Sequence, residues 1–295
     1  MAQGIDFKGS AVAITGAAGG IGRALAFAFA ARGCDLALAD VNESALRTVG
    51  DEISARFVRE VFTQRVDVSD SAAMSDFATR AVAKFPRLNM LINNAGVALL
   101  GDFDEIDDAQ IAWLMGINFW GVVHGTRAFM PHLSRQPSAH IANISSIFGI
   151  IAPPGQCAYS AAKFAVRGFS EALRHELKRS GSGVRLSVVH PGGIDTDIAR
   201  SARHGAALRE KLSADDVGAR FKAAARTSPE QAAERILRGI ERNEPRILIG
   251  GDARLLDFLQ RLRPSSYWSL MERMLERLMR DKSANGAPLA NSGKT

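Results

Sequence analysis

The sequence has few of the residues on which several classes of protein depend. It contains 2 cysteines among 295 residues, Cys34 and Cys157, too few for a disulfide framework or a cysteine metal cluster. No apolar run approaches the roughly 20 residues that a membrane-spanning helix needs. The start, Met1-Ala-Gln-Gly-Ile-Asp6, is too short and polar for a signal peptide. We therefore expect a cytoplasmic protein that holds no metal.

Most of the chain also has little net positive charge. The formal net charge is +6, but residues 198–295 hold 19 Lys and Arg against 12 Asp and Glu, so residues 1–197 are close to neutral. Nucleic-acid binding would require a basic stripe on a recognisable module, which the sequence does not contain. We interpret the basic C-terminal third as a solvated face and expect no nucleic-acid partner.

Strand-like and helix-like segments alternate, which predicts an α/β fold with one parallel sheet of about seven strands covered on both faces. The predicted strands are 10–15, 35–39, 60–66, 88–93, 139–145, 184–189 and 246–249. The predicted helices are 20–32, 42–56, 70–84, 107–132, 157–180 and 229–242. We expect residues 1–250 to form a single domain, followed by amphipathic helices at 251–281 and a disordered tail at 282–295.

A glycine-rich turn joins the first predicted strand to the first predicted helix. Gly16, Gly20 and Gly22 follow the β-rich run Ala11–Thr15 and precede a strongly helical segment. Glycines at these places permit a tight turn and let the backbone approach a pyrophosphate at the helix N-terminus, where free N–H groups favour anions. The spacing differs from the general G-x-G-x-x-G fingerprint of dinucleotide-binding folds.

Tyr159 and Lys163 are four residues apart, so on a helix their side chains share one face. A phenol beside an ammonium group loses its proton more readily than a free phenol and can act as a general acid or base. Ser146 lies thirteen residues before Tyr159, at the end of a predicted strand. These three residues predict an acid–base site for an alcohol or a carbonyl group.

The combined motifs resemble those of the short-chain dehydrogenase/reductases over roughly residues 8–250. The resemblance implies a Rossmann-type doubly wound sheet with strand order 3-2-1-4-5-6-7, a nicotinamide cofactor, and hydride transfer to or from a secondary alcohol or ketone. It also implies a homodimer or homotetramer built on helices 107–132 and 157–180. The motifs that carry it are Thr15-Gly16-x-x-x-Gly20-x-Gly22, Asn93-Asn94-Ala95-Gly96, Asn118, Ser146, Tyr159-x-x-x-Lys163 and Pro191-Gly192.

The resemblance assigns roles to individual residues. Tyr159 would transfer the proton, while Lys163 would lower the pKa of Tyr159 and hold the nicotinamide ribose. Ser146 would bind the substrate oxygen, and the thirteen-residue interval selects it over its neighbour Ser145; Asn118 would position a water beside Lys163. The residues expected to contact the cofactor are Gly16, Gly20, Ile21, Gly22, Asp40, Asp67, Val68, Asn94, Gly96, Tyr159, Lys163, Pro191, Gly192 and Thr196.

Asp40, at the end of the second predicted strand, bears on the choice of cofactor. A carboxylate there accepts hydrogen bonds from the adenosine ribose hydroxyls and repels a 2′-phosphate. No Arg lies between Gly16 and Gly20, and Val41 follows Asp40. The sequence therefore predicts NAD in preference to NADP.

The substrate pocket is less closely specified. Phe148, Ile150 and Ile151 predict an apolar wall, and the irregular segment 194–228 predicts a mobile lid. His190 is interpreted as a structural residue. The amphipathic segment 266–280 is expected to cover apolar surface in the assembly or over the active site; its stripe comprises Trp268, Met271, Met274, Leu275, Leu278 and Met279.

Two alternatives to a cytoplasmic enzyme stay open at this point. The first is a dinucleotide-binding redox sensor without turnover, which would have no need of the proton-transfer residue Tyr159. The second is a peripheral membrane enzyme anchored by segment 266–280. The mixed Glu and Arg residues of that segment suit packing against protein better than against anionic lipid.

Overall fold

A computed structural model describes residues 5–198, 200–205 and 227–273. Its strands are β1 (Ala11–Thr15), β2 (Asp35–Asp40), β3 (Val61–Arg65), β4 (Leu88–Asn93), β5 (Leu99–Leu100), β6 (Ala139–Ile144), β7 (Val184–Pro191), β8 (Arg203–His204) and β9 (Arg246–Ile249). The centre is a seven-stranded parallel sheet with the order β3-β2-β1-β4-β6-β7-β9. Both the number of strands in the sheet and their order match the prediction.

Helices lie on both faces of this sheet. They are α1 (Gly20–Ala31), α2 (Glu43–Arg56), α3 (Ser71–Lys84), α4 (Asp108–Met115), α5 (Gly121–Leu133), α6 (Cys157–Arg179), α7 (Pro229–Glu241) and α8 (Gly251–Leu262). One apolar core joins the sheet to α1, α2 and α7, and a second joins its other face to α3, α5 and α6. Every residue of the central strands β1 and β6 is buried, as expected for parallel strands between two helical layers.

The predicted helix 107–132 is not continuous. A π-helical segment, Gly116–Trp120, separates α4 from α5. Close packing at the junction accompanies the break: a Cβ added at Gly121 would lie 2.7 Å from Val68 Cγ2. Periodicity cannot reveal one extra residue in a turn, and π-bulges of this kind occur often at functional sites.

A two-stranded parallel sheet, absent from the prediction, pairs β5 with β8. Its second strand lies within the segment 194–228 that the sequence predicts as a lid. Residues 199 and 206–226 of that segment lie outside the described residues, as do the predicted tail 282–295 and the stripe residues Met274, Leu275, Leu278 and Met279.

The C-terminal segment returns to the loop that follows β6. After α8, residues 267–273 are helical. Tyr267 and Met271 pack against the apolar cluster of Ile147, Ile150 and Ile151. The Tyr267 hydroxyl also accepts a hydrogen bond from Ala152 N–H at 2.9 Å. Within the described part of the chain, no helix is long and apolar enough to cross a membrane.

Candidate active site

The predicted cofactor-binding loop lies at the carboxyl edge of the sheet, directly after β1. Asn94 holds it in place: its side-chain N–H groups donate to the carbonyl oxygens of Thr15 and Gly16 at 2.9 and 3.0 Å. Gly16 has φ +66°, and a Cβ there would lie 2.8 Å from Ala95 Cα. Only glycine fits this turn without strain.

The first turn of α1 suits a diphosphate group. Gly19 forms its N-cap, no side chain caps the free N–H groups, and the first turn contains no acidic residue. A Cβ at Gly19 would meet nothing within 4 Å, so the space before the helix is open. Ile21, in the same turn, packs against the core beneath it. Unpaired N–H groups at a helix N-terminus are a ready site for a phosphate anion.

Asp40 ends β2 next to this loop. Its Oδ2 accepts from Ala18 N–H at 3.0 Å and its Oδ1 accepts from Asn42 N–H at 2.9 Å. The carboxylate therefore fixes the glycine-rich loop, a structural role that the sequence does not reveal. Each carboxylate oxygen keeps a further acceptor site that can receive a ribose hydroxyl.

Asp67 and Val68 follow β3 and differ in their surroundings. Val68 is buried against Gly121, whereas Asp67 is exposed and accepts from Ser69 N–H at 2.9 Å. Gly96 lies between the cofactor loop and the acid–base residues. A Cβ on it would be 3.3 Å from Asn118 Oδ1 and 3.4 Å from Lys163 Nζ.

Ser146, Tyr159 and Lys163 come together at the ends of β6 and α6. The Ser146 hydroxyl hydrogen-bonds the Tyr159 phenol, and Lys163 Nζ lies 5.6 Å from the centre of the Tyr159 ring. Lys163 is buried, and its Nζ donates to the Ile144 carbonyl at 3.1 Å. Phe148 packs edge-to-face on Tyr159 with ring centres 6.2 Å apart.

The pKa of Tyr159 differs from the expectation that Lys163 lowers it. Burial raises the pKa of Tyr159 to about 12, against which the Ser146 hydrogen bond acts, and burial lowers the pKa of Lys163 to about 8. Lys163 Nζ donates a hydrogen bond to the Ile144 carbonyl, and its separation from the Tyr159 ring centre is 5.6 Å. In the protein alone, desolvation therefore outweighs the cationic effect that the spacing of Tyr159 and Lys163 suggests.

Asn118 lies in the π-helical segment and is fully buried. Its Oδ1 accepts from Val97 N–H at 2.8 Å, and its Nδ2 donates to the Val97 carbonyl at 2.9 Å. The side-chain amide is thus paired with backbone on both sides. It holds the chain that follows Gly96 beside Lys163.

The two adjacent serines have different partners. The Ser145 hydroxyl is buried and donates to the Lys163 carbonyl at 2.9 Å, which ties β6 to α6. The Ser146 hydroxyl instead accepts from Phe148 N–H at 3.1 Å and contacts Tyr159. The hydroxyl that faces the phenol is therefore the one selected by sequence spacing.

Pro191 ends β7, and Gly192 and Thr196 follow it. Thr196 approaches the cofactor loop, since a Cβ at Gly20 would lie 3.3 Å from Thr196 Cγ2. Asp252, on the first turn of α8, accepts from Gly193 N–H at 2.8 Å, and a Cβ on Gly192 would collide with its carboxylate. Sequence reasoning missed Asp252 because the contact spans 59 residues.

Sequence reasoning also missed the role of Thr15. Its buried hydroxyl oxygen accepts from the backbone N–H groups of Asn94 and Ala95 at 3.0 and 3.1 Å, which joins the end of β1 to the loop after β4. The sequence feature that could have indicated this role was the pair Thr15-Gly16 at the end of the first predicted strand.

The apolar wall needs one correction. Ile150 and Ile151 are fully buried beneath Ala253, Leu256 and the C-terminal segment, so they do not line open space. Phe148 alone of the three predicted residues contacts Tyr159. On another side, Tyr159 belongs to an apolar cluster with Val97, Leu99, Ile106, Ile111, Leu114, Met115, Trp113, Ala158 and Ala162. Among the described residues, no group of His, Cys, Asp and Glu could hold a metal ion.

Comparison with known proteins finds a matching family and a relative that is similar along most of the chain. The model of the short chain dehydrogenase family matches residues 10–207. A Mycobacterium tuberculosis protein provisionally named oxidoreductase SadH is 41% identical over 267 residues, which cover 90% of this chain and 95% of that protein.

Two solved structures are also similar. A short chain dehydrogenase/reductase from Burkholderia phymatum in complex with NAD is 30% identical, with a TM-score of 0.77 and coverage of 99% of this chain and 100% of that chain. An alcohol dehydrogenase from Thermococcus sibiricus, complexed with 5-hydroxy-NADP, is 23% identical with a TM-score of 0.68. The match covers 81% of this chain and 95% of that chain. The second likeness concerns the fold alone.

Proposed function

The chain belongs to the short-chain dehydrogenase family of oxidoreductases, and we propose that it transfers a hydride between NAD(H) and a hydrophobic secondary alcohol or its ketone. The observation that carries this proposal is the contact between the Ser146 hydroxyl and the Tyr159 phenol, with Lys163 Nζ 5.6 Å from the phenol ring. A bound nicotinamide would supply the hydride acceptor or donor.

In this proposal the chain's own residues bind the oxygen and move the proton. A substrate oxygen beside Ser146 and Tyr159 receives a hydrogen bond from each hydroxyl. For ketone reduction, Tyr159 donates its proton to the oxygen as negative charge develops there, and Ser146 stabilises that charge. The high pKa of Tyr159 keeps the phenol protonated, which is the form that this direction requires.

Alcohol oxidation requires the opposite state of Tyr159. The phenolate must form before it can accept the alcohol proton, and a nearby cation favours it. Lys163 in its ammonium form is one such cation. With its pKa near 8, a fraction of Lys163 stays protonated in weakly alkaline solution. We therefore propose that the ammonium form of Lys163 favours oxidation.

The cofactor would lie across the glycine-rich loop, with its diphosphate at the N-terminus of α1 and its adenosine ribose beside Asp40. The carboxylate of Asp40 favours NAD because a 2′-phosphate nearby would be repelled. We propose that Gly96, Pro191, Gly192 and Thr196 border the nicotinamide half. Two free cysteines agree with a reducing compartment such as the cytoplasm.

The substrate class follows from what surrounds Tyr159. Phe148 contacts the phenol on one side, and the apolar cluster that includes Val97 and Trp113 contacts it on another. Such surroundings favour a substrate with an apolar body and a single polar group at the reacting carbon. We propose that the polar Ser146 and Tyr159 hydroxyls orient that group.

A turnover screen tests the proposed reaction. Sterols, retinoids, acyl ketones and sugars are incubated with NAD(H) and with NADP(H), and nicotinamide absorbance is followed. We expect turnover with an apolar alcohol or ketone. Tight NADH binding without turnover of any class would instead favour a redox sensor.

Cofactor preference gives a prediction of its own. We expect kcat/KM with NAD(H) to exceed that with NADP(H) by more than about tenfold, since charge repulsion above about 1.4 kcal/mol gives that ratio. Asp40→Asn removes the charge but keeps an oxygen for Ala18 N–H, so it should relax the preference without loosening the loop. Asp51→Asn, at an exposed carboxylate on α2, is the matched control. Equal efficiency with both cofactors in the unmodified enzyme would contradict the assignment.

A further inference from the structure

The backbone ladder between β6 and β7 ends next to the acid–base site. Ser145 N–H donates to the Val189 carbonyl at 2.8 Å, which is a regular bond of the parallel ladder. Two residues later β7 reaches Pro191, which has no N–H and cannot continue the pattern. The ladder between the two strands therefore stops at Ser145.

The His190 side chain binds the next carbonyl group, that of Ser146. Its Nδ1 lies 2.8 Å from the Ser146 carbonyl oxygen. Because a carbonyl oxygen only accepts, Nδ1 must carry the hydrogen. The imidazole thus binds the backbone of Ser146 itself, one residue beyond the last ladder bond.

The surroundings of His190 fix this arrangement. The side chain is completely buried, and its Nε2 has no hydrogen-bond partner among the described residues. The charged groups around it are Arg246, Arg167 and Glu171, and burial lowers the pKa of His190 to about 4. The ring therefore stays neutral at ordinary pH, with its hydrogen on Nδ1.

Ser146 is consequently held at two points. His190 binds its carbonyl oxygen, and Phe148 N–H donates to its hydroxyl oxygen at 3.1 Å. The direction of the hydroxyl toward Tyr159 depends on the orientation of the Ser146 backbone. We propose that His190 is a positioning residue that orients Ser146 toward Tyr159 by holding the Ser146 carbonyl. This inference rests on the proposed function.

The test separates positioning from general stability. His190→Leu keeps an apolar side chain but removes the donor, whereas His190→Asn offers a side-chain N–H close to the position of Nδ1. His140→Leu is the matched control, because His140 is equally buried but its Nε2 contacts Ser187, away from Ser146. Ser146→Ala gives the signal expected when the hydroxyl is lost.

One readout needs no substrate. The chain has 2 tyrosines, Tyr159 and Tyr267, so carbon-13 labelling at Cζ gives two NMR signals, and Tyr159→Phe assigns them. The Cζ shift reports the hydrogen bond to the phenol at neutral pH. We expect His190→Leu to move the Tyr159 signal in the same direction as Ser146→Ala does. His190→Asn should restore the parent signal, and His140→Leu should leave it in place.

The second readout is kinetic, with the best substrate from the turnover screen. His190→Leu should lower kcat by about tenfold, the equivalent of one lost hydrogen bond, while NADH affinity is unchanged. An unmoved Tyr159 signal in folded His190→Leu would overturn the proposal. If His190→Leu does not fold, His190→Gln replaces it, because the glutamine amide does not reproduce the position of Nδ1. A parent-like Tyr159 signal in His190→Gln would also overturn the proposal. If the parent protein turns over no substrate of the screen, that result contradicts the proposed function. The NMR comparison of the variants stays valid in that case.

Discussion

At the residue scale, the site depends on which partner each hydroxyl group has. Ser145 and Ser146 are neighbours in the sequence, yet one hydroxyl binds the Lys163 carbonyl and the other faces Tyr159. The thirteen-residue interval to Tyr159 that the family resemblance implies selected Ser146. The partner of Ser145 could not be predicted, because it is a backbone carbonyl on another element.

The serine pair makes a direct prediction. Ser146→Ala removes the hydroxyl that would bind the substrate oxygen, so kcat should fall by roughly 10²-fold or more, the range for a lost oxyanion donor. Ser145→Ala removes only a structural hydrogen bond and should keep most of the activity while lowering the free energy of unfolding by about 1–3 kcal/mol. Steady-state kinetics and urea unfolding measure the two effects. The assignment is wrong if Ser145→Ala loses turnover and Ser146→Ala keeps it.

The roles of other single residues also depend on contacts with backbone that the sequence could not reveal. Asp40 was predicted from its place at the end of the second strand, but its bond to Ala18 N–H was not. His190 was interpreted as structural, and only the 2.8 Å contact with the Ser146 carbonyl relates it to the site. Motifs specify residue types at loops, whereas side-chain contacts with backbone depend on how distant segments pack.

At the element scale, the site combines the ends of strands with segments from far along the chain. The parallel sheet was predictable from the alternation of strands and helices, and its strand order from the family resemblance. The π-helical turn at Asn118 was not, and neither was the contact of α8 with the loop after β7. Close packing around a glycine accompanies each of them, at Gly121 and at Gly192.

Gly192→Ala tests the contact of α8 with this loop. The new Cβ would collide with the Asp252 carboxylate, which holds Gly193 N–H at 2.8 Å. We expect a loss of about 1–3 kcal/mol in the free energy of unfolding, as for a disrupted buried hydrogen bond, together with weaker NADH binding.

Gly251→Ala is the matched control, since a Cβ there meets nothing within 4 Å. Thermal unfolding and NADH fluorescence titration compare the two variants. Equal behaviour of both would show that the Asp252 contact does not shape the loop.

At the scale of the whole molecule, the helices on one side present aromatic groups to solvent. Trp120 is 48% exposed and Phe164 is 38% exposed. Phe119 connects the two helical segments by contacting Trp120 and Phe169 with ring centres 5.5 and 6.3 Å apart. We propose that a second copy of the chain covers this aromatic face, as the family resemblance implies.

Sedimentation velocity tests the proposed assembly. Phe164→Glu places a charge in the aromatic face and should shift a dimer or tetramer toward smaller species, because burying an unpaired charge is costly. Val58→Glu is the matched control, since Val58 is 94% exposed and precedes β3 on another part of the molecule. An intact protein that sediments as a monomer, or a Phe164→Glu variant that keeps its size, would contradict the prediction.

The central claim is that Tyr159 transfers a proton during hydride transfer, and the most direct measurement of it is the turnover of Tyr159→Phe. The substitution removes one oxygen, so NADH affinity measured by fluorescence should be nearly unchanged. With the best substrate of the screen, we expect kcat to fall by roughly 10²–10⁴-fold, the usual contribution of a positioned acid or base. A Tyr159→Phe enzyme that binds NADH and turns over at a near-normal rate would contradict the account.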